Sequence, residues 1–214
     1  NELFYKKSDP RIILNLGGIA NYTYISNKRN LWGSDVGPGN ALLDAYCQQF
    51  LNKPFDRNGK IASKGQIVKS ELQKLLSNEF FIKPFPKSTG KELFNLNMLS
   101  SKFIKESPEN VLATLTEFSA LCVANAIKKN KHNSKDVIIC GGGGNNKFLV
   151  NRLSDLVKTK VTLSTDLGYD IQAIESMAFA WLGFKRFTNQ PLKIQLGKNN
   201  FAKGLLGSIA QSKQ

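Results

Sequence analysis

The first part of the chain alternates short apolar runs with turn-forming residues. Apolar runs of strand length occupy residues 11–16 (RIILNL), 22–26 (YTYIS) and 31–35 (LWGSD). Gly17-Gly18 and the polar stretch 27–30 separate them, and connections this short favour an antiparallel meander of three strands. A helix is predicted to follow, because apolar residues then recur at helical spacing. The residues of this apolar face are Leu42, Leu43, Tyr46, Cys47 and Phe50.

The middle of the chain, residues 52–106, is less regular and is interpreted as an inserted helical and loop segment. It holds one helical pattern over 66–77 and a loop over 83–90. Pro84 and Pro86 favour the loop, because proline removes a backbone donor and biases the preceding residue away from helix.

The second half of the chain alternates helix and strand. Ser107-Pro108-Glu109 has a capping hydroxyl, a proline at the first helical position and an early acid, so a long helix is predicted from there to about Lys128. Strands are predicted over 137–140 and 160–163, with a helix between them. Asp170 is expected to cap a last helix whose inward residues are Ile171, Ile174, Ala178 and Trp181.

This order of elements indicates an α/β fold. Three strands, a helix, an insertion, and then helix, strand, helix, strand and helix match a mixed sheet flanked by helices. The ribonuclease-H-like lobe, used twice in the sugar kinase, Hsp70 and actin superfamily, has this arrangement. The predicted fold is therefore a ribonuclease-H-like lobe, covering residues 1–214 as one unit with the insertion near 52–106.

The stretch from Gly33 to Asn40 (GSDVGPGN) carries the most informative chemistry. Asp35 ends a predicted strand and faces the start of a helix, where a carboxylate is well placed to hold or deprotonate a substrate group. Gly37 and Gly39 let a ligand approach the backbone, and a helix start attracts phosphate. The alternative is a tight turn with an ordinary capping aspartate.

Two further segments could bind ligands. Gly141 to Gly144 and Asn145 follow a buried strand and open a helix, so freed amides could cradle phosphate and a flat base could lie close. The segment 15–21 (NLGGIAN) places two asparagines around a hairpin turn, where they could bind sugar hydroxyls or phosphate oxygens. Plain turn chemistry explains both segments equally well. Glu117 and Glu175 lie in apolar helices, either at a solvated edge or in a cleft.

Composition narrows the function classes. A net charge of +14 could indicate a protein that binds nucleic acid. The chain has 25 Lys but only 5 Arg, however, and the lysines are dispersed along it, so no nucleic-acid partner is predicted. Three separated cysteines predict buried free thiols, and the lone His132 makes a zinc site or a Ser-His-Asp triad improbable. No stretch is expected to be apolar enough to span a bilayer, so no membrane partner is predicted.

Seven segments together resemble the anhydro-N-acetylmuramic acid kinase family, in the right order and over nearly the whole chain. The GPGN segment and the Pro-Lys-Ser-Thr-Gly loop are the most distinctive. The segments are NLGGIAN (15–21), DVGPGNALLDAYC (35–47), FDRNGKIASKG (55–65), PFPKSTGKELFN (84–95), ATLTEFSA (113–120), IICGGGGNN (138–146) and IESMAFAWL (174–182).

The resemblance implies an activity and roles for residues. The family opens the 1,6-anhydro ring of anhydro-N-acetylmuramic acid and transfers the ATP γ-phosphate to O6, giving N-acetylmuramic acid 6-phosphate in peptidoglycan recycling. The base that activates water maps onto Asp35, and a second carboxylate maps onto Glu175. ATP with Mg²⁺ is the implied cofactor, with its adenosine side on Gly141 to Gly144 and Asn145, and no residue is assigned as a metal ligand. The substrate-binding residues are Asn15, Gly17, Gly18, Asn21, Gly37, Gly39 and Asn40.

The chain also departs from the family. Val36 stands where the family has a threonine, so a hydroxyl beside the base is lost. The family's N-terminal lobe carries a phosphate loop, and no such segment precedes Arg11. The chain is therefore expected to be the C-terminal lobe of a two-lobed kinase, inactive without the missing N-terminal lobe, since ATP and Mg²⁺ are clamped by both lobes. The resemblance implies a cytoplasmic location and leaves a homodimer open.

Two alternatives remain open at this point. In a ribonuclease-H-like nuclease, Asp35, Asp44 and Glu175 would hold two metal ions within bridging distance of one another. A non-catalytic ATP-binding module would bind nucleotide and stay inert even beside an added N-terminal lobe.

Overall fold

A computed structural model describes residues 3–7, 9–27, 30–197 and 200–210. The chain divides into two compact units, Asn1–Ile171 and Gln172–Gln214. The first unit holds the sheet, the long helices and every predicted site residue except Glu175. The second unit holds one helix and a two-stranded hairpin.

The sheet of the first unit has five strands in the order β3-β2-β1-β4-β5. They are β1 (Arg11–Leu16), β2 (Ile19–Asn27), β3 (Asn30–Pro38), β4 (Asp136–Cys140) and β5 (Lys160–Leu163). The first three form the predicted antiparallel meander, while β4 pairs parallel to β1 and β5 pairs parallel to β4. This strand order and polarity confirm the ribonuclease-H-like α/β fold.

Two long helices cover one face of this sheet. They are α5 (Pro108–Asn130) and α6 (Lys147–Leu156), and α1 (Ala41–Leu51) packs on the outer side of α5. The core between sheet and helices contains Ile12, Leu14, Leu16, Val137 and Ile139 from the strands, all at most 1% exposed. Every second residue along β1 is buried, as the side-chain period of two in a strand requires.

The inserted segment forms its own core against α1 and α5. It contains three short helices, α2 (Lys69–Leu76), α3 (Glu79–Ile82) and α4 (Ser101–Ile104), of which only α2 was anticipated. Phe80, Phe94 and Phe103 are buried in this core. Two buried acids tie down the segment's loops: Glu71 accepts from Ser100, and Asp56 accepts from the amides of Ile61 and Ala62.

The predicted N-terminal cap of α5 is confirmed, because the Ser107 side chain accepts a hydrogen bond from the amide of Asn110. By length and composition alone α5 could span a bilayer, which the sequence interpretation did not anticipate. This helix has a mean hydropathy of 1.3 over its most apolar window, 72% of which is buried. Such burial is what a core helix shows.

The second unit contains α7 (Ala173–Phe187) and a hairpin of β6 (Leu192–Gly197) and β7 (Asn200–Gly204). The helix begins at Ala173 with Gln172 at its cap, so the prediction that Asp170 caps it is wrong. Of the four residues expected to point inward, only Ile171 is buried, and no residue of α7 is buried. The hairpin had no counterpart in the sequence interpretation.

Candidate active site

Four polar residues form one row across the sheet. Cys140 pairs with Asn15, Asn15 pairs with Asn21, and Asn21 pairs with Asp35. Directly paired residues project from the same side of a sheet, so this row shares one face. It is opposite the face covered by α5 and α6, because its neighbours Leu14, Leu16 and Ala20 belong to that core. The row lies near the carboxyl ends of β1, β3 and β4, the edge where open α/β sheets bind ligands.

Asp35 is half-buried and is held by the loop that follows α3. Its carboxylate Oδ2 accepts from the amide of Thr89 at 2.8 Å, and its own amide donates to the carbonyl of Lys87 at 3.0 Å. The residue at the cap of α1 is Asn40, not Asp35. The interpretation of Asp35 as an ordinary capping aspartate is therefore wrong.

An open cleft of about 450 Å³ borders Asp35. Strands β2 and β3 form one wall, and the loop over 86–88 forms the other. Its polar side chains offer hydroxyl, amide and carboxylate groups. The lining residues are Asn21, Tyr22, Thr23, Gly33, Ser34, Asp35, Pro86, Lys87 and Ser88. A group with several hydroxyls could therefore be bound beside the carboxylate.

The turn between β3 and α1 packs directly on the β1–β2 hairpin. The amides of Gly39, Asn40 and Ala41 donate to the carbonyls of Gly18 or Gly17 at 2.9–3.0 Å. The amides of Gly39, Asn40 and Ala41 are thus occupied by the hairpin and do not face a phosphate, although the helix start was expected to attract one. A Cβ on Gly39 would overlap the carbonyl of Gly17, so this glycine serves close packing.

Gly37 and Gly18 also have neighbours where a Cβ would lie. A Cβ on Gly37 would be 2.7 Å from Cβ of Cys122 in α5, and Gly37 is buried. The Lys91 side chain crosses Gly18, where a Cβ would lie 3.3 Å from its Nζ. Gly37 was expected to contact substrate, and in this structure its surroundings are those of a packing glycine.

The glycines from Gly141 to Gly144 do not share one environment. Gly141 has φ +84°, its amide donates to the carbonyl of Ile171 at 2.8 Å, and a Cβ there would overlap Oδ1 of Asn15. Gly143 is buried, and its Cβ would lie 2.6 Å from Nδ2 of Asn40. Gly144 packs on Ile171.

Gly142 differs from its neighbours, because nothing lies within 4 Å of the position of a Cβ. Gly142 and Asn145 are exposed, whereas Gly143 and Gly144 are buried. The run therefore packs on Asn15 at Gly141 and on Asn40 at Gly143, and it presents an open backbone at Gly142. This open backbone is the part of the run that a flat ring or a phosphate could approach.

The two candidate acids in helices have different surroundings. Glu117 is 6% exposed and accepts from Nη2 of Arg152 at 2.9 Å, so it joins α5 to α6 as an ion pair. It is neither a solvated edge residue nor a cleft residue. Glu175 lies in the first turn of α7 in the second unit, and its pairing with Asp35 stays a prediction.

Several residues near the site were missed by the sequence reasoning. Thr89 and Lys87 contact Asp35 or its backbone, although their loop had been singled out as distinctive, and Ser34 contacts the backbone of its neighbour Asp35. Asp44, named before only in the nuclease alternative, is half-buried in the first turn of α1, and burial raises the pKa of its carboxyl to about 6, opposed by the charge of Lys91. The contacts of Thr89 and Lys87 with Asp35 join residues more than 40 positions apart, and no local pattern indicates them.

No metal cluster supports the nuclease alternative. Among the described residues, no group of three or more His, Cys, Asp or Glu side chains is placed to hold a metal ion. All three cysteines are buried and outside any disulfide, as the sequence predicted.

The strand order of the sheet, together with the polar row at the carboxyl ends of its strands, defines a ribonuclease-H-like lobe of the sugar kinase, Hsp70 and actin superfamily. A family model described as anhydro-N-acetylmuramic acid kinase matches residues 1–212. The chain belongs to this family.

Relatives agree with the family match. The chain is 57% identical over 213 residues to an anhydro-N-acetylmuramic acid kinase from Gamma-proteobacterium EBAC31A08, covering 100% of this chain and 58% of that protein. It is 40% identical to one from Pseudomonas savastanoi pv. phaseolicola, covering 84% of this chain and 50% of that protein. The chain thus spans about half the length of these curated relatives.

A solved structure shows a weaker similarity. The activator of the 2-hydroxyisocaproyl-CoA dehydratase from Clostridium difficile, with bound ADPNP, is 19% identical with a TM-score of 0.48. That likeness covers 72% of this chain and 53% of the activator. The fold assignment rests on the strand order and the family match, not on this likeness.

Proposed function

We propose that the full-length protein containing this chain opens 1,6-anhydro-N-acetylmuramic acid and phosphorylates its O6 with ATP. The product is N-acetylmuramic acid 6-phosphate. Membership of the family supports the reaction, and the observation that carries this chain's part in it is the held carboxylate of Asp35 at the cleft. The chain is the C-terminal lobe of this kinase.

Asp35 is the general base. Water attacks C1 of the sugar as the C1–O6 bond breaks, and O6 takes the γ-phosphoryl group while ADP leaves. The proton of the attacking water passes to the Asp35 carboxylate. Its Oδ2 is engaged by Thr89, and no hydrogen bond to Oδ1 is found within the described part of the chain, so Oδ1 is available to the water. A base must lie within hydrogen-bond reach of the proton that it removes.

The sugar binds in the cleft beside Asp35. Hydroxyl and amide groups of Asn21, Thr23 and Ser88 line the cleft and match a ligand rich in hydroxyls. Asn21 lies next to Asp35 across the strands, so a sugar held by this amide would present its ring to the carboxylate. Glu175 is proposed as the second carboxylate near the attacking water.

The nucleotide lies along the open backbone at Gly142 and Asn145. Asn15 and Asn40 beneath the glycines support the shape of this surface. Mg²⁺ arrives with ATP as part of that substrate, and no residue of this chain is assigned as its ligand. An N-terminal lobe supplies the remaining phosphate contacts, since phosphoryl transfer depends on positioning and charge neutralisation.

The reaction belongs to peptidoglycan recycling in the cytoplasm, where ATP is available and free thiols stay reduced. The partners are the amino sugar and ATP, and neither nucleic acid nor a membrane is proposed. A homodimer is left open by the family resemblance.

Isotope labelling tests this function. The full-length protein, incubated with ATP and the anhydro sugar in H₂¹⁸O, should give a sugar phosphate with one ¹⁸O at C1 and none at the phosphorus. A simple hydroxyl kinase acting on the open sugar would place no ¹⁸O at C1 during turnover, once spontaneous anomeric exchange is subtracted. ATP consumption without sugar phosphate, or metal-dependent cleavage of nucleic acid, would overturn the proposal.

A further inference from the structure

The side chain of Lys87, on the loop beside the cleft, is half-buried among aromatic rings. Its Nζ donates to the carbonyl of Phe80 at 2.6 Å. The same nitrogen lies 4.1 Å from the ring centroid of Phe80 and 4.4 Å from that of Phe85. Although Lys87 lines the cleft, its ammonium is therefore engaged by α3 and by the rings.

This arrangement costs free energy, because it partly removes a charged ammonium from water. No ion pair between Lys87 and a carboxylate is found among the described residues, and burial lowers the pKa of its ammonium. Ring faces replace the carboxylate as the stabilising partner, as in other cation–π contacts. A neutral side chain would avoid the cost, so the contact is expected to serve a purpose beyond packing.

The rings that hold Lys87 are themselves fixed. Phe80 is 2% exposed and contacts Phe94 with ring centroids 5.4 Å apart. Its neighbour Phe81 contacts Phe118 of α5 at 5.7 Å. The ammonium of Lys87 is thus anchored to the core between the insertion and α5.

The backbone of the same residue holds the end of β3. Its amide donates to Oγ of Ser34 at 2.9 Å, and its carbonyl accepts from the amide of Asp35 at 3.0 Å. Two residues later, the amide of Thr89 donates to Oδ2 of Asp35 at 2.8 Å. Lys87 therefore connects the hydrophobic core to the backbone of Asp35, and the loop that continues from it to Thr89 holds the Asp35 carboxylate.

We infer that Lys87 is a positioning residue that orients the Asp35 carboxylate by fixing residues 87–89 against the end of β3. This inference rests on the proposed function, in which Asp35 is the base. Because the amide of Thr89 holds Oδ2, the other oxygen, Oδ1, keeps a fixed orientation toward the cleft. Lys87 touches neither substrate nor the reacting atoms in this role.

Steady-state kinetics of the full-length protein test the inference. Lys87→Met keeps the length and most of the volume of the side chain but loses the donor and the charge. It should lower kcat about 10- to 100-fold, because small displacements of a reacting group cost rate, while both KM values change less than about threefold. Lys87→Arg should restore most of kcat, since it keeps a cation that can donate and lie on the rings. Lys83→Met, on an exposed lysine of the same loop, is the matched control and should leave kcat unchanged.

A second measurement does not depend on activity. In amide NMR spectra of the 214-residue chain, the Thr89 proton should move upfield and exchange faster in Lys87→Met, and stay unchanged in Lys83→Met. If wild-type protein phosphorylates no sugar but Thr89 responds in this way, the proposed function fails and the positioning contact stands. If Thr89 does not respond, the positioning inference fails whatever the activity.

Other outcomes would also overturn the inference. An active wild type together with an unchanged kcat in Lys87→Met would remove the positioning role. A raised sugar KM with normal kcat would mean that Lys87 binds substrate directly. If Lys87→Met does not fold by circular dichroism, Ser34→Ala tests the same contact, because it removes the partner of the Lys87 amide without disturbing the aromatic rings. It should lower kcat similarly, and an unchanged kcat would contradict the inference.

Discussion

The Asp35 carboxylate is held by a residue from a distant part of the chain. A backbone amide fixes one of its carboxylate oxygens, and the amide comes from a residue 54 positions along the chain. A carboxylate that serves only a turn is usually bonded to amides two or three residues away. The long-range contact is what distinguishes a positioned base from a local cap at this residue.

Replacing this carboxylate tests the assignment. In the full-length protein, Asp35→Asn should reduce turnover by about 10²- to 10⁴-fold, because the amide cannot accept a proton from water. ATP affinity should stay nearly intact, since the nucleotide contacts are proposed at Gly142 and Asn145. A phosphorylation assay and a nucleotide titration on the same variant measure both quantities. A near-normal rate would reduce Asp35 to a turn residue, and a collapse of ATP binding would assign it to the metal–nucleotide complex.

Asp44 should make the stability of the chain depend on pH. Its pKa is raised from 3.8 to about 6, chiefly by burial, so the folded chain binds more protons than the unfolded chain between these values. Stability contributed at this residue therefore falls as pH rises from about 4 to about 6. Asp44→Asn should remove that fall.

Urea unfolding of the chain at several pH values measures this effect. Asp155→Asn is the matched control, because the Asp155 side chain is 70% exposed and should leave the pH dependence as in the wild type. If wild type and Asp44→Asn show parallel stability profiles between pH 4 and 6, burial of Asp44 has no effect on its titration.

At the scale of elements, the sequence predicted what local pattern controls. The strands over 11–16 and 160–163 have the predicted bounds, and the cap at Ser107 holds α5 as expected. These features depend on side-chain period and on neighbours within four residues. The contact between Thr89 and Asp35 depends on how the insertion folds back, and no short-range pattern encodes that path.

The run from Gly141 to Gly144 also shows where local sequence stops predicting and packing decides. A run of four identical residues gave no basis for separating their roles, and only the packing around it does so. Gly141 and Gly143 are restricted by Asn15, Leu16 and Asn40, and Gly144 by Ile171, whereas Gly142 faces open space. Packing thus accounts for three of these glycines, and ligand approach is the role proposed for Gly142.

Alanine substitutions should separate these roles. Gly142→Ala should leave the unfolding free energy nearly unchanged but weaken ATP binding by full-length protein about tenfold, roughly 1.4 kcal/mol. Gly141→Ala should destabilise the fold by about 1–3 kcal/mol or more, because of its positive φ and the overlap with Asn15. Chemical denaturation and nucleotide titration of both variants give the comparison. Equal ATP affinity in Gly142→Ala and wild type would place the nucleotide elsewhere.

At the scale of the whole molecule, the chain is proposed to present one wall of a nucleotide site. The candidate residues on the sheet of the first unit lie at one edge, and the chain matches 50–58% of the length of its relatives. The charge of +14 is carried mostly by dispersed lysines, which favours a solvated surface over a nucleic-acid groove as its interpretation. A kinase of this superfamily needs a second wall to neutralise and orient the phosphates.

The 214-residue chain alone should therefore lack kinase activity, and the part of the protein that corresponds to the rest of the relatives should restore it. Sugar phosphorylation is measured with the chain alone, with an added N-terminal lobe, and with the two joined in one polypeptide. The joined Asp35→Asn variant is the control, because any activity that it retains cannot come from the proposed base. Phosphorylation by the chain alone would show that one lobe suffices. A joined protein that binds ATP and stays inert would instead identify the chain as a non-catalytic nucleotide-binding module.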